Sequence, residues 1–422
     1  MSGFILPEFE RGKFASITII LIVTLISAVN SNAHVTDEWK KSGRGIAAIV
    51  VAIAHAYGLY LSPFFGPDDY LGIFFAIASH QAVMIFFLIS GYLITISINI
   101  NIKKNEGMFR FFQYLASRIA RIYPPLLFAI AMTTFFWGVI RFFNLHGVNS
   151  NLPYEIGNFA PSRAVFSLGL ADIKNAVMMQ NGMLDANGPL WSLYIEWRIY
   201  IVAGVLAFFL TVNAIIYKSV LAIIFAYVFY GLFSINEHAM FYLMIWLLGC
   251  IFSLAPFLTK LALIKHRYLV FSVLLIVIFL WGILNPKIVI SGGSKFGFFE
   301  NVFQLLICFS WSMLIIPDRL TKLTTFKIIS IWLGNLSYSL YILHFPIMLF
   351  FLSLFHNLIA GSLPLSLLAA VVSLFVAIAI SSLSAKYFEN KVYFERIIQK
   401  ILIRVIAMLQ KIAHKIDLLT KK

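Results

Sequence analysis

The sequence predicts an all-α polytopic integral membrane protein, with a ten-helix transmembrane core, an extra N-terminal apolar segment and a C-terminal amphipathic helix. Three observations predict it. Of 422 residues, 61% are hydrophobic and only 12% charged, too few charged groups to coat a water-facing surface of this size. Apolar runs of about 20 residues, enough to cross a bilayer, recur along the chain. The basic residues, which give a formal charge of +15, gather in alternate connections rather than in one nucleic-acid-binding patch.

The core spans are expected near 45–62, 81–101, 122–143, 190–210, 219–235, 239–256, 268–284, 300–317, 331–353 and 363–383. Lys103, Lys104, Arg110, Arg118 and Arg121 gather between the second and third. Lys260, Lys265 and Arg267 fill a later connection, and Arg319, Lys322 and Lys327 another. The intervening connections hold Asp68 and Asp69, Glu237, or a mixed set with Glu155, Asp172 and Asp185. By the positive-inside rule both ends of the core face the cytoplasm. The two cysteines, Cys250 and Cys308, lie inside apolar runs, which supports neither a disulfide framework nor a thiolate metal site.

Residues 14–29, after Arg11 and Lys13, precede Ser31, Asn32 and Ala33, much as in a signal peptide. Cleavage there would invert the next helix against the charge pattern, so an uncleaved membrane or interfacial segment is expected. At the other end, Ile397, Ile401, Val405 and Leu409 recur at helical spacing opposite Arg396, Lys400, Arg404, Lys411 and Lys415. That pattern suits a helix lying on an anionic leaflet. The expected organisation is therefore an N-terminal segment and linker over 1–43, a core over 44–392 and a basic tail over 393–422.

Polar groups inside the spans mark the chemistry, because an ionisable side chain in hydrocarbon is costly. Arg44 and His55 bound one apolar stretch, RGIAAIVVAIAH, and eleven residues at 1.5 Å separate them by about 16 Å. Counted the same way, His55 and Ser90 reach roughly 13 Å below the outer face, Glu196 about 9 Å and His344 about 10 Å. Four helices thus bring polar groups to one layer. A histidine near a carboxylate suits general-base chemistry, the carboxylate fixing the imidazole tautomer, so His55 and Glu196 are the expected catalytic pair. For Ser90 and Tyr338, ordinary helix–helix hydrogen bonds are the simpler account, and for His344 packing and function are balanced. Arg118 and Arg121, three apart, share a helix face at the cytoplasmic level of Arg44, and guanidinium forks suit a multiply phosphorylated ligand. His80, His146, His238 and His356 fall at or outside expected helix ends. No histidine pair or Cys/His cluster has metal-ligand spacing.

Taken together, RGIAAIVVAIAH, FFLISGYLI, RIARIYPP, LWSLYIEWRIY, LGNLSYSLYILHFP and AKYFEN, in that order over 44–390, resemble the acyltransferase-3 family of bacterial membrane O-acyltransferases. The resemblance implies an enzyme of the bacterial inner membrane, passing an acyl group, usually acetyl, from cytoplasmic acetyl-CoA to a hydroxyl. The implied acceptor is a cell-surface polysaccharide, such as lipopolysaccharide O-antigen, or a lipid-linked sugar. Acetyl-CoA is then a co-substrate, no cofactor or metal is held permanently, and neighbouring lipids rather than nucleic acid are the remaining partners. Arg44 with His55 corresponds to the family's arginine–histidine pair, and Arg118 with Arg121 to its cytoplasmic basic pair. His55 would act as base or transient acyl carrier, and Ser90, Tyr338 and His344 would line the acyl or acceptor pocket. The entry DEWKKSGRG departs from the family's LDGLRG. No SGNH-type hydrolase domain follows the core, so delivery is expected to be direct or through a separate extracytoplasmic transferase. The rival reading is a proton-coupled transporter or flippase using the buried His and Glu as a relay.

Overall fold

The computed structural model describes residues 37–65, 70–145, 168–211, 239–254, 324–359 and 361–401, with single positions at 223, 227, 230 and 404. Every element among them is helical. In chain order these are α1 (Asp37–Ala56), α2 (Tyr70–Lys104), α3 (Phe111–Phe142), α4 (Leu170–Val177), α5 (Leu190–Thr211), α6 (Ala239–Leu254), α7 (Thr324–Ile359) and α8 (Leu363–Phe388). Residues 391–401 are also helical. Among the described residues six helices are long and apolar enough to cross a membrane, and Phe241–Ser253 is a shorter apolar one. Expected spans 45–62, 81–101, 122–143, 190–210, 239–256, 331–353 and 363–383 coincide with α1, α2, α3, α5, α6, α7 and α8. The spans expected at 219–235, 268–284 and 300–317, the segment 14–29 and most of the tail lie outside the described residues.

Helix ends fall farther out than hydrophobicity alone suggests. The 35 residues of α2 extend over about 52 Å at 1.5 Å per residue, beyond a hydrocarbon core of about 30 Å. Helical hydrogen bonding continues past the lipid boundary wherever propensity allows, so α2 starts at Tyr70 and α3 at Phe111. His80 consequently lies within α2 rather than at its end, its Nδ1 3.3 Å from the Tyr242 hydroxyl.

α8 shows how the bundle faces its surroundings. Ser366, Ala369, Ala370, Ser373, Ala377, Ser381 and Ser384 are buried, at spacings of three and four, while Leu367, Leu368, Val371 and Phe375 are exposed. A water-soluble helix places its apolar stripe inward. Here the small polar face is inside and the large apolar face outside, as lipid requires. Three of the four inward hydroxyls are used: Ser366 Oγ donates to the Tyr60 carbonyl at 2.6 Å, Ser373 Oγ to the Ala370 carbonyl at 3.0 Å, and the Ser384 and Ser339 hydroxyls lie 3.0 Å apart.

α7 is the central helix, packing on α1, α8 and α3, while α2 packs on α6 and α1. The α1–α7 and α2–α6 crossings are glycine pairs. A Cβ on Gly45 would strike the Gly334 nitrogen and one on Gly334 the Lys41 carbonyl. A Cβ on Gly91 would strike the Trp246 carbonyl and one on Gly249 the Leu88 carbonyl. Small residues let membrane helices approach to backbone contact.

α1 does not end where its α-helical pattern stops. A π-helical turn, Tyr57–Leu61, and one α-turn, Ser62–Phe65, continue it. The wide turn carries the Ser62 N–H back to the Tyr57 carbonyl. π-Turns inside α-helices are uncommon and are often found beside functional sites. This one begins two residues after His55.

Candidate active site

α1, α2, α3, α5 and α7 line a partly open cavity with about 760 Å³ of atom-free space, open solvent included. Arg44, Arg118 and Arg121 line it together with Ser90, Ser192, Glu196, Tyr200, Ser337, Tyr338 and Tyr341. The two arginines of RIARIYPP fall on one face of α3 by their spacing, as the sequence requires, and Arg44 joins them from α1. Arg118 is 7% exposed. Its Nη2 donates to Ser97 Oγ at 3.0 Å and its guanidinium sits 5.5 Å from the Tyr114 ring centroid. The Nε atoms of Arg44 and Arg118 are buried without a hydrogen-bond acceptor. Among the described residues no carboxylate stands at ion-pair distance from any of the three arginines. Glu196 and Glu389 lie within electrostatic reach of Arg44.

Unpaired guanidiniums in a low-dielectric site are held at a large desolvation cost and favour an anionic ligand. Glu389, just past the end of α8, is committed elsewhere: its Oε1 accepts from the Ser339 amide at 3.0 Å and from the Ser339 hydroxyl at 2.6 Å. Burial raises the Glu389 carboxyl above its ordinary value, opposed by the Ser339 bonds and the nearby Arg121 and Arg44 charges.

On the α5 side, Tyr200 donates to Glu196 Oε1 at 2.5 Å, and the Ser90 hydroxyl lies 2.9 Å from the Tyr200 oxygen. A carboxylate can only accept, so Ser90 donates to Tyr200 and Tyr200 to Glu196, a three-residue chain across α2 and α5. Tyr338 crosses the cavity from α7 to donate to the Ile122 carbonyl at 3.0 Å. At the far end the Tyr341 hydroxyl meets Ser192 Oγ at 2.7 Å. The Tyr341 ring lies 6.3 Å from that of His344.

Behind Tyr341 stand two histidines. His55 Nδ1 is 2.9 Å from His344 Nε2, and His344 Nδ1 is 2.7 Å from the Leu340 carbonyl. Their ring planes are 25° apart, and Phe345 packs edge-on to His55 at 5.2 Å. His344 is fully buried and His55 partly exposed. Neither lines the cavity.

The structure therefore gathers Arg44, Arg118, Arg121, Ser90, Glu196 and Tyr338 around one cavity, and sets His55 against His344 beside it. Sequence reasoning gave His55 to Glu196. In the structure the ring facing His55 Nδ1 belongs to His344, while Glu196 is engaged by Tyr200. Depth counting placed both groups in one layer, but depth does not fix the direction in which each helix points its side chain.

Sequence reasoning missed Tyr200, Tyr341 and Asn187. Tyr200, four residues after Glu196 on a helix, carried a readable signal. Asn187 did not. Pro346 has no N–H for the carbonyl four residues back, and Asn187 Nδ2 supplies that donor to Ile342 at 2.8 Å. This donor comes from the segment preceding α5, where Met179, Asn181 and Met183 all adopt positive φ. Such backbone is held only where its surroundings over-determine it. The Tyr194 hydroxyl on the Gly182 carbonyl at 2.7 Å is one such tie.

The apolar outer faces define a multi-pass membrane protein with an arginine-lined cavity among its helices. The comparisons with known proteins make the class specific. A family model described as an acyltransferase domain matches residues 39–384, and the chain belongs to that acyltransferase-3 family. It is 29% identical over 208 residues to an O-acetyl transferase of Shigella phage Sf6, a match covering 49% of this chain. The match spans 56% of the length of that relative. No solved structure matches the chain.

Proposed function

We propose that the protein is an O-acetyltransferase that moves an acetyl group from cytoplasmic acetyl-CoA to a hydroxyl of a cell-surface polysaccharide or lipid-linked sugar, in a bacterial inner membrane. The observation that carries this reading is the trio Arg44, Arg118 and Arg121, without ion-pair partners among the described residues, facing one cavity. Arg44 also lies on the helix that carries His55. Phosphates of the CoA headgroup fit three guanidiniums at the cytoplasmic mouth. The chain from headgroup to thioester must then cover the rise from Arg44 to His55, about 16 Å, so the arginine–histidine spacing measures the donor's arm. The similarity to an O-acetyl transferase supports the acetyl group and the oxygen acceptor.

In this mechanism His55 removes the proton of the acceptor hydroxyl as its oxygen attacks the thioester carbonyl. General-base assistance of this kind contributes about 10²- to 10⁴-fold. Tyr341 and Ser192, between the cavity and the histidines, bound the path of the acetyl group. The Ser90–Tyr200–Glu196 chain lines the same cavity as the arginines and keeps one carboxylate oxygen occupied, so that Glu196 does not pair with the cations the donor needs.

The test compares surface glycans by mass spectrometry in cells with the wild-type protein and with His55→Ala. The expected result is an added mass of about 42 Da per modified sugar, the increment of an acetyl group. It is lost with His55→Ala while the protein stays in the membrane at its normal level. Membranes given labelled acetyl-CoA should transfer label only with His55 present. Acetylation that survives His55→Ala, or an acetyl-histidine trapped on that residue, would contradict the mechanism. Transport of a glycan with no label transfer would favour the flippase reading instead.

A further inference from the structure

We infer that His344 is a positioning residue which fixes the tautomer of His55 and so makes Nε2 of His55 the nitrogen that meets the acceptor hydroxyl. The inference rests on the acetyltransferase reading for its chemistry and on two hydrogen bonds for its geometry. A backbone carbonyl has no proton to give. His344 Nδ1, 2.7 Å from the Leu340 carbonyl, therefore carries the hydrogen. A neutral imidazole bears only one N–H, so His344 Nε2 is an acceptor. The atom facing it at 2.9 Å is His55 Nδ1, which must be the donor. The remaining lone pair of a neutral His55 is then on Nε2. The opposite tautomer of His55 would set two lone pairs against each other at that distance. A doubly protonated His344 would bury a cation in a ring with no exposed surface, a costly arrangement.

The relay is built into the helix. Leu340 lies four residues before His344, so its carbonyl stands beneath the ring on the same face of α7. Phe345 packs against the His55 ring. Asn187 steadies the turn at Pro346 by bonding Ile342. With both nitrogens engaged, His344 has no atom left to act as base or acyl carrier. In the transfer step the acceptor oxygen forms its bond to the acetyl carbon while Nε2 of His55 takes the hydroxyl proton. The carbon–sulfur bond breaks, and the same proton passes from Nε2 to the departing thiolate. His55 returns neutral with Nδ1–H still on His344.

The experiment has two arms on the full-length protein in lipid nanodiscs. In the first, diethyl pyrocarbonate, which acylates imidazole nitrogens bearing a lone pair, is applied briefly to the wild-type protein and mapped by peptide mass spectrometry. Modification of His55 well ahead of His344 is expected, and the reverse order would overturn the relay. In the second, His344→Gln and His344→Phe are compared for acetyl transfer. The amide oxygen of Gln can accept from His55 Nδ1–H, whereas Phe keeps the ring shape and offers no acceptor. His344→Phe should lose about 100-fold or more in kcat, within the general-base range, at an unchanged KM for acetyl-CoA, and His344→Gln should stay within tenfold of wild type. A purely packing role predicts the opposite order, since a buried site tolerates Phe better than an amide. Equal activities, or Phe above Gln, would refute the proposal. If wild type transfers no acetyl group at all, the acetyltransferase reading fails and the labelling order alone decides the relay.

Discussion

Asn187 and Pro346 should behave as one energetic unit. Asn187 is fully buried, and its side-chain N–H fills the place of the backbone donor that Pro346 lacks. Asn187→Leu leaves the Ile342 carbonyl without that donor in a water-free core, which costs about 1–3 kcal/mol. Hydrogen bonds inside membrane proteins average lower, about 0.6 kcal/mol and at most about 1.7. The buried, unpartnered Asn187 Oδ1 also disappears on substitution, returning part of the loss. A net destabilisation of about 1 kcal/mol follows. In Pro346→Ala the backbone N–H at that position is restored and can bond Ile342 directly, so adding Asn187→Leu should cost about 0.3 kcal/mol or less. The coupling of about 0.7 kcal/mol exceeds the usual additivity error of about 0.3–0.5 kcal/mol. Detergent-titration unfolding of the four proteins in mixed micelles, followed by tryptophan fluorescence, measures it. Equal losses in both backgrounds would show that Asn187 does not act through this carbonyl.

Tyr200→Phe removes the hydroxyl that donates to Glu196 at 2.5 Å. Losing a hydrogen bond to a charged group costs about 1.5–3 kcal/mol, so acetyl transfer should fall by roughly 10- to 100-fold in steady-state kinetics. Arg121→Gln should raise the KM for acetyl-CoA by about tenfold or more, in line with the strength of a charge-assisted bond, while leaving the acceptor KM in place. An equal change in both would argue against donor binding there. Gly334→Val would drive a side chain into the Lys41 backbone, and Gly249→Val would do the same at Leu88. Neither protein should elute as a single monodisperse peak in size-exclusion chromatography, whereas Gly138→Ala, at a position where an added Cβ meets nothing within 4 Å, should elute normally.

The sequence by itself determined the solvent of this protein and the identity of its chemical groups. An apolar chain with few charges cannot fold in water, and a histidine eleven residues along a helix from an arginine has a separation set by helical rise alone. The trio of arginines was legible for the same reason: spacing on one helix fixes a shared face, and charge distribution fixes a shared level. Partnership across helices was not legible, because it depends on how each helix is rotated and how closely it approaches. His55 meets His344 rather than Glu196 because Gly45 and Gly334 let α1 and α7 touch backbone to backbone. Glu196 belongs to Tyr200 because one helical turn places them together on α5. Asn187 reaches Ile342 from a segment whose polar composition resembles any loop, and only the missing N–H of Pro346 gives it a task. Local spacing is written in one dimension. The contacts that assign a proton to a particular nitrogen arise only when several helices are packed side by side.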